Sequence, residues 1–252
     1  MVYDCFLFFN EWEVLEIRLN ELDPYVDVFV LVEATETFKG KKKELYFEAL
    51  KEKFSKFSHK LIHLVIDKPL KTSNPWEREY YQRDQISRAL KSCDDGDIIF
   101  MSDVDEIPRQ EVIPILKEKA VQGLPVVCEQ QIYRYFLNRE DTKLRHEWIG
   151  TVATTYSVLK AHSPQWLRDN RSNFEIIKNA GWHFTAMGGY GRYVEKIISF
   201  SHTQNEFPIP SREEFAHMVS ACTLVPIDDS FPSFVRKNLS YLESLFMIDR
   251  LL

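Results

Sequence analysis

An apolar run, Asp97-Ile98-Ile99-Phe100-Met101, stops at Ser102 and gives way to Asp103-Val104-Asp105-Glu106-Ile107-Pro108, which places three carboxylates within four residues. Two aspartates at i and i+2 leaving a strand can share one divalent cation, or divide their work between a metal and a ribose. Oxygen ligands of this kind suit Mg²⁺ or Mn²⁺, and those ions in turn bridge phosphate oxygens. The competing reading is a solvated acidic turn before a helix near Pro108, with Glu106 favoured close to the helix N-terminus. Placement decides between them. The carboxyl end of a strand is where open α/β sheets receive ligands.

The elements that must position this cluster are legible upstream. Tyr3 to Phe9 is an apolar run of strand length. Trp12, Leu15, Leu19 and Leu22 recur at helical spacing up to Asp23-Pro24. Val26 to Val32 (VDVFVLV) is a largely β-branched run, as expected of a strand buried on both faces. Phe47 to Phe57 reads as an amphipathic helix, Lys60 to Ile66 as a third strand and Trp76 to Leu90 as a charged helix. The run from Asp97 to Met101 is a fourth strand. This β-α-β-α-β-α-β order implies a parallel sheet with helices on both faces.

After Pro108 the texture changes. A helix over 109–121 leads to strand-like segments at 126–129 and 132–137, a polar loop at 138–150 and an alternating strand at 151–159. A short Gly181-Trp182-His183-Phe184 segment and closing helices follow, one of them spanning 234–252. We expect a single domain over 1–252, with a nucleotide-binding half (1–108) and an acceptor-side half (109–252).

Composition narrows the classes. The chain has 252 residues, 44% hydrophobic, with only 8 Gly and 11 Pro, so it is not disordered or fibrous. Its 32 Lys and Arg against 38 Asp and Glu give a net charge of −6, which offers no general attraction for nucleic acid. An anionic ligand therefore needs a local device. The 4 cysteines lie far apart with no CxxC pair, which argues against a zinc ribbon or a disulfide framework. His59 and His63 share an i,i+4 spacing, but the strand-like run around them rules out a helical zinc pair. With no 18-residue apolar stretch and no basic-then-apolar leader, the chain as given reads as cytoplasmic. Leu239, Leu242, Leu245 and Phe246 on the last helix offer an interface or a membrane-surface patch.

Five blocks carry a resemblance. Asp103 to Pro108 is one. Phe9-Asn10-Glu11-x-x-x-Leu15-x-x-Arg18-x-x-Glu21-Leu22 and Phe29 to Ala34 with Thr37-Phe38-x-Gly40 are two more. Ala180-Gly181-Trp182-His183-Phe184 and Ser201 to Pro208 complete the set. In order and approximate spacing they resemble glycosyltransferase family 17, over residues 5–210. The resemblance implies a GT-A-type α/β fold, a mixed, mostly parallel sheet flanked by helices. It also implies a UDP-sugar donor, UDP-GlcNAc in characterised members, a divalent cation (Mn²⁺ or Mg²⁺) and inversion at the anomeric carbon. Asp103 and Asp105 then stand as the metal and diphosphate motif, and His183 where a histidine completes the metal shell in many GT-A enzymes. Phe184-Thr-Ala-Met-Gly-Gly departs from the cysteines and second tryptophan of animal members, which puts an N-glycan acceptor in question.

An inverting transfer needs the departing charge neutralised and a base on the acceptor hydroxyl. Arg83, with Arg78 as its rival, suits the first task because a guanidinium binds phosphate bidentately. Glu147, in Arg145-His146-Glu147-Trp148, is the favoured base, with Glu106 and Asp169 competing. Asn10, Glu11 and Glu33 follow the first two strands and are expected to meet uracil or ribose. Trp148, Tyr135 and Trp182 are candidate sugar platforms. The expected acceptor is a glycan or lipid-linked oligosaccharide. A nucleotidyltransferase or Mg²⁺-dependent phosphohydrolase would use similar carboxylates, and a binding module without catalysis would retain them unused.

Overall fold

The first four strands are apolar at most positions, and three of them are buried on both faces, while the one at the sheet edge (61–66) is only partly buried. The computed structural model describes residues 1–144 and 148–250. Strands β1 (Val2–Leu7), β2 (Val28–Ala34), β3 (Leu61–Ile66) and β4 (Ile98–Asp103) lie in the order β3-β2-β1-β4, all parallel. Alternate residues divide between two cores: Phe6, Phe29, Leu31 and Phe100 on one face, Cys5, Val30, Val32 and Met101 on the other. Both faces are covered by helices, so the runs show no polar alternation.

Helix α1 (Trp12–Leu22) joins β1 to β2. The expected helix over 47–57 is instead a short α2 (Tyr46–Leu50) continued by 3-10 turns over Lys51–Lys60, whose three-residue period buries Phe54 and Phe57 together. The charged helix starts at Pro75, where the Asn74 side chain accepts from the Trp76 N–H at 3.0 Å. It breaks at Gln85 into α3 (Pro75–Asp84) and α4 (Ile86–Ala89).

The second half adds antiparallel partners. Beyond β5 (Glu106–Pro108) and α5 (Ile113–Val121) come β6 (Val126–Arg134), β7 (Arg139–Glu140) and β8 (Ile149–Thr155). Then follow α6 (Tyr156–Ala161), α7 (Pro164–Asp169), β9 (Glu175–Thr185), α8 (Gly189–Ser199), α9 (Arg212–Ser220) and β10 (Thr223–Leu224). The sheet reads β10-β7-β6-β8-β4-β1-β2-β3, with β9 parallel to β6 and β5 antiparallel to β9. Two expectations are corrected here. The strand over 151–159 ends at Thr155, and Tyr156 starts a helix. The short 181–184 segment is the end of an 11-residue strand whose polar first half hides it.

The expected closing helix is two short ones, α10 (Ser233–Lys237) and α11 (Leu239–Ser244), separated by Asn238. Leu242 is buried and Leu245 packs on the core, while Leu239 and Phe246 are exposed. No helix of the described residues is long and apolar enough to cross a membrane.

Strands β5 and β9 approach unusually closely. Glu106 faces His183 and Pro108 faces Gly181. A Cβ on Gly181 would lie 2.2 Å from the Ile107 carbonyl oxygen, so no side chain fits there.

Candidate active site

The acidic loop begins where β4 ends beside β1, with Asp103 level with Leu7. From beneath, α1 presents Arg18, which is fully buried. Its guanidinium grips Asp4 through Nε and Nη2 at 2.8 and 2.6 Å and donates to Ser102 Oγ at 2.7 Å. Its Nη1 donates to the carbonyls of Asp103, Val104 and Glu106 at 3.1, 3.3 and 2.8 Å. A charge sealed from water persists only when paired and hydrogen-bonded, and here the pairing also fixes the loop.

Asp103 accepts from Arg83 Nη2 at 3.0 Å and Arg168 Nη2 at 2.8 Å. Burial works against its charge, but the two guanidiniums prevail and hold its carboxyl down at about 2. Asp105 is 4% exposed and accepts from Lys196 Nζ at 3.0 Å, with His183 Nε2 at 3.6 Å. Burial again opposes the charge, yet Lys196 and then His183 keep Asp105 far below the usual carboxylate range. Lys196 in turn reaches Thr185 Oγ1 at 3.2 Å and lies 3.9 Å from Glu11. Desolvation disfavours the ammonium, and Asp105 and Glu11 more than compensate, raising its pKa.

Glu106 is a keystone of this arrangement. Fully buried, it accepts from the Asp103 N–H at 2.9 Å, Arg168 Nη1 at 2.7 Å and Trp148 Nε1 at 3.0 Å. Trp148 stacks on His183 with centroids 4.3 Å apart and planes 20° apart. Arg171 lies over the Trp148 ring at 5.3 Å.

The donor set can be tested against a divalent cation. Among the described residues no three His, Cys, Asp or Glu side chains gather around one point. Asp103 is taken up by Arg83 and Arg168. Asp105 and His183 do converge, and the His183 Nδ1 is buried with no hydrogen-bond partner. One carboxylate and one imidazole fit an ion that fills its remaining positions with water and phosphate oxygens. Of the three residues expected to form a metal shell, Asp105 and His183 lie together, with Lys196 also on Asp105, while Asp103 anchors two guanidiniums.

These groups floor a cavity of about 800 Å³, whose walls include Glu11, Asp169 and Arg171 and, at the other end, Trp76, His202 and Phe207. Arg83 is there, but its fork is engaged by Glu79, Asp103 and Gln165. Arg78 is likewise occupied by Glu36 and the carbonyls of Phe38 and Thr72. Glu11 lines the cavity and accepts from the N–H groups of Phe9 and Asn10 at 3.3 and 3.1 Å.

Several expectations are corrected. Asn10 is buried and does not line the cavity; its carbonyl accepts from Arg192. Glu33 is fully buried, and Lys43, His63 and the N–H groups of Tyr46 and Phe47 consume its oxygens. It holds the start of α2 rather than a ligand. Tyr135 packs with Tyr193 and Phe215 in a separate cluster, and Trp182 is buried with its Nε1 on the Ser230 carbonyl. Glu147 lies outside the described residues.

Sequence reasoning missed Arg18, Arg168, Arg171 and Lys196. Arg18 sat within a quoted block without a role. The other three carry no local pattern, because their partners are more than 60 residues away or, for Arg171, in a neighbouring ring.

The family model of glycosyltransferase family 17 matches residues 1–215. The human and rat β-1,4-mannosyl-glycoprotein 4-β-N-acetylglucosaminyltransferases are each 29% identical over 117 residues. That stretch is 43% of this chain and 22% of either relative, so the match spans under a quarter of those proteins' length. A crystal structure of GalNAc-T7 with UDP, GalNAc and Mn²⁺ superposes with a TM-score of 0.49 at 11% identity, covering 99% of this chain and 55% of the other. The chain belongs to glycosyltransferase family 17.

Proposed function

We propose that the chain moves a sugar, GlcNAc from UDP-GlcNAc, to a glycan hydroxyl with inversion and with the help of a divalent cation. The observation that supports this most is the placing of Asp105 and His183, 3.6 Å apart, on the floor of a cavity ringed by Lys196, Arg168 and Arg83. A chain of net charge −6 has gathered a local cationic device at one strand end. A nucleoside diphosphate is the ligand such a device suits.

Asp105 and His183 would hold Mn²⁺ or Mg²⁺, whose chemistry is to neutralise charge on diphosphate oxygens. Lys196 keeps Asp105 ionised and adds a donor beside it. Arg168, tied to Asp103 and Glu106, fixes the loop and the Trp148 indole at once. Among the described carboxylates of the cavity wall, Asp169 is bound only by the Gln165 amide, at 2.8 Å. Glu79, Asp103 and Asp105 are each paired with a cation. Among the described residues Asp169 is therefore the group we assign to the acceptor hydroxyl's proton; Glu106 is committed elsewhere, and the favoured Glu147 lies outside those residues. The acceptor fits best as a glycan or a lipid-linked oligosaccharide.

The test is thermal unfolding with UDP, GDP, CDP or ATP, each with Mn²⁺ and then EDTA. A ligand at a hundred times its Kd adds about 2.7 kcal/mol, on the order of 5–10 °C here. A UDP shift abolished by EDTA supports the reading. No shift with any nucleotide overturns it.

A further inference from the structure

Among the described residues, Arg171 is a cation of the cavity wall that no carboxylate meets directly. It sits in a 3-10 turn, Arg171–Asn173, just beyond α7. Arg83, Arg168 and Lys196 each meet a carboxylate within 3.0 Å. Among the described residues the Arg171 guanidinium makes no hydrogen bond and no ion pair; its one close partner is the Trp148 ring. Burial and the neighbouring Arg168 guanidinium lower its pKa, and the more distant Glu106 and Asp103 carboxylates only partly oppose them. Asp169, two residues earlier, is bonded to Gln165 instead.

A half-buried guanidinium beside another cation is unfavourable unless an anion completes it, and stacking on an indole pre-orients its fork for a planar or tetrahedral oxyanion. Its position is informative as well. Asp105, His183, Trp148 and Arg171 form a run of successive contacts at 3.6, 4.3 and 5.3 Å, in which Arg171 meets the indole and the Asp105–His183 pair meets it through the imidazole. We infer that Arg171 is an oxyanion-binding residue of the cavity, taking a phosphate or carboxylate group of a substrate. Its contact with Trp148 rather than with Asp105 or His183 points to the acceptor side, which would make the acceptor an acidic or phosphate-bearing glycan. Only the identity of the anion's carrier rests on the sugar-transfer reading.

Inorganic phosphate is the probe, titrated calorimetrically into the full chain with and without saturating UDP and Mn²⁺, for the wild type, Arg171→Gln and Arg171→Lys. The expected result is phosphate binding that weakens about ten-fold in Arg171→Gln and less in Arg171→Lys. Binding that persists beside UDP assigns the anion to the acceptor. Phosphate displaced by UDP, with UDP itself weakened in Arg171→Gln, assigns it to the donor diphosphate. Equal phosphate and UDP affinities in the wild type and Arg171→Gln overturn the site. A wild type that binds no UDP but still binds phosphate through Arg171 removes the transfer reading and leaves the anion site in place.

Discussion

Arg18 and Asp103 are 85 residues apart in the chain, and the guanidinium of the first holds the backbone carbonyl of the second at 3.1 Å. The same nitrogen holds two further carbonyls of that loop. The acidic loop is therefore shaped from within the core, before any ligand arrives.

Replacing Arg18 with Met should leave Asp4 as an unpaired buried carboxylate and free the loop carbonyls. A loss of about 3–5 kcal/mol is expected, which urea unfolding would register. A loss near 0.5 kcal/mol would show that the guanidinium is not sealed as described.

Asp105→Asn and His183→Ala should each lower turnover by at least about a hundred-fold while the chain still folds cooperatively. Mn²⁺ affinity, followed by electron paramagnetic resonance, should fall in both. Asp103→Asn should act differently, loosening Arg83 and Arg168 with a smaller change in Mn²⁺ affinity. Identical metal affinities in all three variants and the wild type would refute the division of labour.

Asp103 also predicts an acid limit. Its carboxyl is held from 3.8 down to about 2 in the folded chain. A group depressed on folding contributes stability above its unfolded value, and that contribution disappears as pH falls through the folded one. The contribution is complete above about pH 4 and absent below about pH 2. The stability gap between the wild type and Asp103→Asn should therefore shrink between pH 5 and pH 2.5. A gap that stays constant would contradict the pairing.

If Asp169 receives the acceptor proton, Asp169→Asn should reduce kcat by about 10²–10⁴-fold and remove the acidic limb of the pH–rate profile. Glu106→Gln should retain that limb, because its carboxylate is committed to Trp148, Arg168 and a backbone N–H. Loss of the limb in Glu106→Gln instead would reverse the assignment.

Glu33→Gln should cost about 1–3 kcal/mol of stability through its lost partners at the start of α2, with the UDP affinity unchanged. A weakened UDP complex at undiminished stability would restore Glu33 to the ligand site.

The parts of this site that could be read in the sequence are those with a local pattern. Buried strands announce themselves as unbroken apolar runs, so β1, β2 and β4 and the acidic loop were expected near where they stand. Lys196 was not, because α8 opens with Gly189-Tyr190-Gly191, and Gly188 before it is in the left-handed region at φ 91°. The start of strand β9 is hidden because its first half, Glu175 to Asn179, mixes isoleucines with polar residues and lies largely outside the core. Glu33 misled for a different reason. A carboxylate at a strand end looks like a ligand group, and only the chain's return at Tyr46 and Phe47 shows that its oxygens are already used.

At Gly181 the missing side chain acts as a gauge. Because Pro108 sits level with it and Glu106 level with His183 on the same strand pair, the separation of those strands sets how deep the imidazole lies against the acidic loop. A single methyl group there would work as a shim, lifting β9 from β5 and carrying His183 away from Asp105. The spacing of the two groups assigned to the cation is thus set by the contact of two backbones, two residues from the chemistry.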